Sequence, residues 1–129
     1  MITLYYNMTN TSSKQAINWF KSREISILKK SVCAISRKDL LHILFLSEKG
    51  FSDILKSKFH AGSSLKNKID TIQSLNFNEG INYILKNPSI LKNPIIFEEN
   101  KLLIGYNSKQ IRQFIPQRCR SFKKGHVIQ

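Results

Sequence analysis

The chain of 129 residues is short of acid, of cysteine and of long apolar runs, and each shortage excludes a class of function. Only eight residues are Asp or Glu, and they are scattered, which leaves no paired carboxylates for general acid–base work. Cys33 and Cys119 are the only cysteines. Their spacing fits neither a disulfide framework nor a zinc site, and the three histidines supply no ligand pairing, so no metal or cofactor is expected. Two free thiols are expected instead, as in a reducing compartment. No apolar run reaches about 18 residues, which argues against a membrane-spanning helix. The start Met1-Ile2-Thr3-Leu4-Tyr5-Tyr6 lacks the basic head and long apolar middle of a secretion signal, so a cytoplasmic location is expected. A glycine-rich phosphate loop is also missing.

Positive charge is what the chain has in excess, with a net +13. From Lys14 to Lys38 seven basic residues face Glu24 alone, and after Glu99 seven more (Lys101, Lys109, Arg112, Arg118, Arg120, Lys123, Lys124) face no acid. Such a field attracts polyanions and acidic protein faces. Reading a base sequence needs side chains aimed at base edges, however, and Phe122 is the only aromatic residue after Pro116. No helix-turn-helix or RNA-binding signature accompanies the charge.

The length favours one domain, and a 41% hydrophobic content is enough for a packed core. Ile2, Leu4 and Tyr6 alternate with Thr3 and Tyr5 as in a strand. A helix is expected over about Ser12 to Ser22, with Ala16, Ile17, Trp19 and Phe20 as its apolar face and Ser12 or Ser13 as its N-cap. Ile25 and Ile27 read as a second strand ending near Lys29-Lys30. Strand, helix, strand is a βαβ unit, so the two strands should be parallel with a right-handed crossover.

A helical middle follows. Ser36-Arg37-Lys38-Asp39 reads as a capping box with Asp in the reciprocal place, opening a helix through Leu40, Leu41, Ile43, Leu44 and Leu46 that Gly50 stops. Ile54 and Leu55 suggest one more buried turn, and Ala61-Gly62-Ser63-Ser64 a loop. Leu65, Ile69 and Ile72 have helical spacing. Asn78 is a candidate cap for a last helix with Ile81, Ile84 and Leu85 inward, ended by Asn87-Pro88. Ile95–Phe97 and Leu102–Ile104 then form an antiparallel hairpin around Glu99-Asn100. Asn107 or Ser108 should cap a terminal helix through Ile111, Phe114 and Ile115, ended by Pro116.

This order predicts an α/β domain over residues 1–122: a thioredoxin-like mixed four-stranded sheet with a mainly helical insert, about residues 33–93, between the βαβ and ββα units. A basic tail, 123–129, follows. Pro94 stands where such folds place a cis-proline facing the first turn. That turn is Asn10-Thr11-Ser12-Ser13, where a redox protein of this layout carries Cys-x-x-Cys at a thiolate-stabilising helix start. Neither Asn10 nor Ser13 ionises usefully near neutral pH, and neither can form a disulfide. A serine nucleophile would need a base, and His42 and His60 read as structural or loop residues.

Thr3-Leu4-Tyr5, Ala16 and Trp19, Glu24-Ile25, Asn87-Pro88, Leu91, Pro94-Ile95-Ile96, Gly105-Tyr106-Asn107, Ile111-Arg112, Phe114, Pro116, Arg118 and Arg120-Ser121-Phe122 resemble the Spx regulators of the arsenate reductase-related family. The resemblance spans residues 1 to 122. It implies a non-enzymatic transcriptional regulator that binds the C-terminal domain of the RNA polymerase α subunit, a monomer when free. It implies that Asn10 and Ser13 fill the two cysteine positions, that Asn93 replaces the reductase arginine, and that Gly50 matches a glycine needed to contact the α subunit. Docking is then expected through the first-helix start and the Gly50 segment, with Lys14, Lys49 and Lys58 giving electrostatic complementarity and Arg118 and Arg120 approaching promoter DNA. Two other readings stand beside it: a thiol-dependent reductase using Cys33 or Cys119, and a general nucleic-acid-binding or adaptor protein.

Overall fold

Strand β1 (Ile2–Tyr6) is the spine of the fold and is covered on both faces: Leu4 and Tyr5 point to opposite sides, and both are fully buried. The computed structural model describes residues 1–57 and 62–116. Lys58, His60, Arg118, Cys119, Arg120, His126 and the 123–129 segment lie outside the described residues. β1 runs parallel to β2 (Ile27–Ser31), with Ile2 opposite Ile27 and Tyr6 opposite Ser31. On its other side it is antiparallel to β3 (Ile95–Phe97), which is antiparallel to β4 (Leu102–Ile104). The mixed four-stranded sheet has the order β2-β1-β3-β4, as the α/β reading expects.

One face of the sheet packs on helix α1 (Thr11–Ser22) and a 3-10 helix, Gln110–Phe114. Ile2, Leu4 and Ile96 meet Ala16, Trp19, Phe20, Ile111 and Phe114 there. The other face, carrying Tyr5, Ile95 and Phe97, packs on the insert. Its helices are α2 (Arg37–Leu46), α3 (Phe51–Ile54), α4 (Ser63–Gln73) and α5 (Phe77–Lys86). The Asn93–Pro94 peptide bond is cis, at the position expected.

Element boundaries differ from the sequence reading in informative places. Ile25 belongs to the stop of α1, not to β2. Its N–H donates to Phe20 O at 3.0 Å and the Glu24 N–H to Lys21 O at 3.1 Å, the paired bonds of a Schellman motif, with Glu24 at φ +55°. Helix α2 is capped at its end by Ser47, and Gly50 is the N-cap of α3 rather than the stop of α2. Ser63 and Ser64 are helical, and Gly62 caps α4. Asn76, not Asn78, caps α5: its side chain accepts from Glu79 N–H and the Glu79 carboxylate accepts from Asn76 N–H, a complete capping box. At α2 the Ser36 half of the box forms, with Ser36 Oγ accepting from Asp39 N–H at 3.1 Å. Asp39 Oδ2 accepts instead from the Tyr5 hydroxyl at 2.5 Å and from Lys30 Nζ at 3.4 Å. The last helix is a short 3-10 element, its start held by Asn107 Oδ1. Ile115 is extended, as a residue before proline prefers, so the helix cannot run on.

Candidate functional site

Two regions carry the residues singled out above: the turn from β1 into α1, and the turn at Gly50. In the first, Asn10 is the N-cap of α1, in place of the Ser12 or Ser13 cap expected. Its Oδ1 accepts from the Ser13 N–H at 2.7 Å. Ser13 is buried within the turn, where its Oγ accepts from the Asn7 N–H at 3.2 Å. Asn7 Oδ1 in turn accepts from the Thr9 N–H and hydroxyl. The side chains that a redox pair would occupy are therefore committed to holding the backbone.

No base stands beside Ser13 among the described residues. His42 projects from α2 to the far end of the sheet, where its Nε2 lies 3.0 Å from both Glu98 O and Glu99 O and its ring leans on Phe97. Phe97 pairs with Thr3 near the start of β1, whereas Ser13 closes on Asn7 beyond its end. Asn93, just before the cis peptide bond, is buried; its Nδ2 donates to Leu91 O at 3.3 Å and its Oδ1 has no partner among the described residues. A neutral amide supplies no cation for an oxyanion. Cys33 is exposed in the 3-10 turn after β2. Among the described residues, no group of three or more His, Cys, Asp or Glu is arranged to hold a metal ion.

The second region is a tight, well-bonded turn. Gly50 adopts φ +66°, ψ −130°, a conformation that L side chains rarely adopt. The Gly50 N–H donates to Ser47 Oγ at 3.1 Å, and Asp53 Oδ2 accepts from the N–H groups of Glu48 and Lys49 at 3.0 and 2.8 Å. A Cβ built on Gly50 would meet nothing within 4 Å, so this backbone faces open space. Phe51, the next residue, is anchored against Phe77 at 5.5 Å between ring centroids.

Lys49 is exposed beside Gly50, and Lys14 is exposed on the first turn of α1. The fold does not bring these two regions together. Lys14 borders a cleft with Lys29 of edge strand β2, whereas Ser47, Glu48 and Asp53 border a cleft with Leu102–Ile104 of the opposite edge, β4. They also stand on elements packed on opposite faces of the sheet.

The sequence reading counts Leu41 among the apolar residues of α2, assigns it no face, and gives Phe45 no role. Leu41 is 40% exposed and Phe45 84% exposed, one helical turn apart on the outer face just before the Gly50 turn. A signal was available: a helix apolar nearly all round, on a domain of this size, has more apolar surface than one core can cover.

The sequence model of the ArsC family matches residues 5–114, from within β1 to the last residue of the terminal 3-10 helix. The chain belongs to the ArsC family. Within that family its curated relatives include the global transcriptional regulator Spx of Streptococcus mutans, 33% identical over all of this chain and 91% of that protein. The global transcriptional regulator Spx 1 of Oceanobacillus iheyensis is 31% identical over 95% of this chain and 93% of that one. Solved structures share the fold at lower identity. A Staphylococcus aureus protein matches with a TM-score of 0.71 at 15% identity, covering 88% of this chain and 97% of that one. A possible arsenate reductase of Streptococcus mutans matches at 0.68 and 17%, covering 84% and 92%. No helix among the described residues is long and apolar enough to cross a membrane.

Proposed function

We propose that this ArsC-family chain is a transcriptional regulator of the Spx type, acting by docking on RNA polymerase through the C-terminal domain of the α subunit and not by catalysis. The observation that carries this reading is full-length similarity to proteins named global transcriptional regulators, joined to a β1–α1 turn with no ionisable side chain at Asn10 or Ser13. Docking would then be independent of any thiol switch at that turn. The interface centres on the open Gly50 turn, with Lys49 beside it and Leu41 and Phe45 as apolar contacts on the adjoining face of α2. Lys14, at the far edge of the sheet, contributes to the long-range field and so to association rate more than to contact. Lys58, Arg118 and Arg120 belong to the proposal by sequence alone, the last two as groups near promoter DNA.

The test is binding of the purified chain to the isolated C-terminal domain of the α subunit, with and without reductant. Equal binding in both conditions is expected. Absence of binding in both would overturn the reading. Thiol-dependent turnover of arsenate or of a disulfide substrate, lost in Cys33→Ser or Cys119→Ser, would replace it with the reductase reading, for which the exposure of Cys33 is the one supporting observation.

A further inference from the structure

A largely apolar cavity of about 560 Å³ lies between α3 and α4, opening beside the Gly50 turn, whose Phe51 it shares. Phe51, Leu55, Ile69 and Ile72 form its floor and walls. Lys56 and Lys92 also line it, and no Asp or Glu does. The backbone sets the two lysines on one face of a short ladder, diagonally across from each other. Leu55 and Leu91 form an isolated antiparallel bridge, the Lys56 N–H donates to Ile90 O at 2.9 Å, and the Lys92 N–H donates to Ile54 O at 2.8 Å. Each lysine thus follows a bridge residue, on the two strands of one short ladder. Both residues are half-buried, the usual state of a lysine whose stem covers apolar surface. Among the described residues neither has a carboxylate within ion-pair distance.

We propose that this cavity binds a small amphipathic carboxylate: an alkyl or aryl body on the Phe51–Leu55–Ile69–Ile72 surface, with its carboxylate between Lys56 and Lys92. The volume falls in the ordinary range for small-molecule sites, mostly apolar with a few polar groups that fix orientation. Two cations with no Asp or Glu among the described lining residues favour an anionic head over a neutral or cationic one, although Lys92 also borders the neighbouring cleft that holds Glu48 and Asp53. The assignment does not rest on polymerase docking, because it concerns a small-molecule cavity and a different class of ligand, and its test contains no polymerase.

The test uses the full chain, with octanoate below its micellar range as probe and 1-octanol as the neutral control. Amide NMR shifts and calorimetry read binding. Saturable octanoate shifts at Phe51, Leu55, Ile69 and Ile72 are expected, with 1-octanol about tenfold weaker or more, the size of one charge-assisted hydrogen bond. The double variant Lys56→Met, Lys92→Met should lose that octanoate preference and keep the 1-octanol shifts, which also reports that its cavity is intact. Equal affinity for octanoate and 1-octanol in the parent chain would overturn the carboxylate assignment. So would shifts confined to another surface, or binding of phosphatidylglycerol vesicles with none of octanoate.

Discussion

The hydroxyl of Tyr5 donates to Asp39 Oδ2 across 2.5 Å, tying the central strand of the sheet to the first turn of α2. Lys30 Nζ reaches the same oxygen at 3.4 Å from edge strand β2 and lies 5.8 Å from the Tyr5 ring centroid. Strand, neighbouring strand and insert are thereby joined at one carboxylate. Burial, and then the hydrogen bond and charge of Asp39, push the Tyr5 phenol up to about 12 from its ordinary 10. A raised folded-state value favours the protonated phenol in the folded chain. The stability it contributes is complete below pH 10 and is lost as pH rises from 10 through 12. Tyr5→Phe should cost about 1–2 kcal/mol at neutral pH, because Asp39 keeps only Lys30. It should also remove this part of the alkaline loss. Urea unfolding of both chains between neutral pH and pH 11 checks it; parallel curves would show that the phenol titrates alike in the folded and unfolded chain.

The type of each main element was legible in the sequence because apolar periodicity is a local property. Strands β1, β3 and β4 and the helices of the insert follow from the spacing of Leu, Ile and Phe. The ends were less legible, because a cap depends on which of several competent residues wins. Asn76 prevails over Asn78 because Glu79 stands three residues after it and completes the box. Asn10 prevails over Ser12 and Ser13 because Ser13 is drawn inward to the Asn7 N–H. The sequence could name candidate residues but not their arrangement: only the strand order separates Lys14 at the β2 edge from Gly50 beside β4. The exposure of Phe45 likewise depends on where α2 rests on the sheet.

Helix α1 ends on a residue poorly suited to its backbone. Glu24 has φ +55° while the Ile25 N–H reaches back to Phe20 O, and glycine is the usual occupant of that place. Glutamate bears a steric cost there that glycine does not. Glu24→Gly should therefore stabilise the folded chain by about 0.5–1 kcal/mol, less a few tenths for the greater freedom of the unfolded glycine. A raised urea midpoint with unchanged slope is the expected result. A lowered midpoint would mean that the Glu24 carboxylate contributes more, amid the surrounding lysines, than its backbone costs.

Gly80, in the middle of α5, would ordinarily be improved by alanine, which is the better helix former by about 1 kcal/mol. Here a Cβ would lie 2.9 Å from Phe51 Cζ and 3.0 Å from Phe51 Cε2, and the ring is braced on Phe77. Overpacking of this kind costs about 1–3 kcal/mol, so the clash should outweigh the propensity gain. Gly80→Ala is expected to destabilise by about 1 kcal/mol in the parent chain. With Phe51→Ala already in place the same change should stabilise, and this reversal of sign is the measurement that matters. The same sign in both backgrounds would mean that the ring moves aside freely.

Docking through the Gly50 turn separates into a backbone effect and a surface effect. Gly50 is strained for any L side chain, so Gly50→Ala and Gly50→Arg should lose similar stability, about 1–3 kcal/mol each. The space around its α-carbon is open, so only the size of the new side chain should govern binding to the α-subunit domain: Gly50→Arg abolishes it, Gly50→Ala weakens it. Phe45→Ala provides the complementary case. At 84% exposed the ring contributes little to the fold, so unfolding should change by less than about 0.5 kcal/mol. An apolar anchor at a protein interface, by contrast, commonly contributes about 2 kcal/mol or more, a loss of roughly thirtyfold in affinity. Lys49→Glu should slow association and reduce its dependence on salt while leaving dissociation nearly unchanged. Stopped-flow or surface-immobilised kinetics distinguish these effects. If the chain binds the α-subunit domain as proposed but Phe45→Ala and Gly50→Arg both bind as the parent chain does, the proposed Gly50 interface is wrong, and the Lys14 cleft at the opposite edge of the sheet is the next surface to substitute.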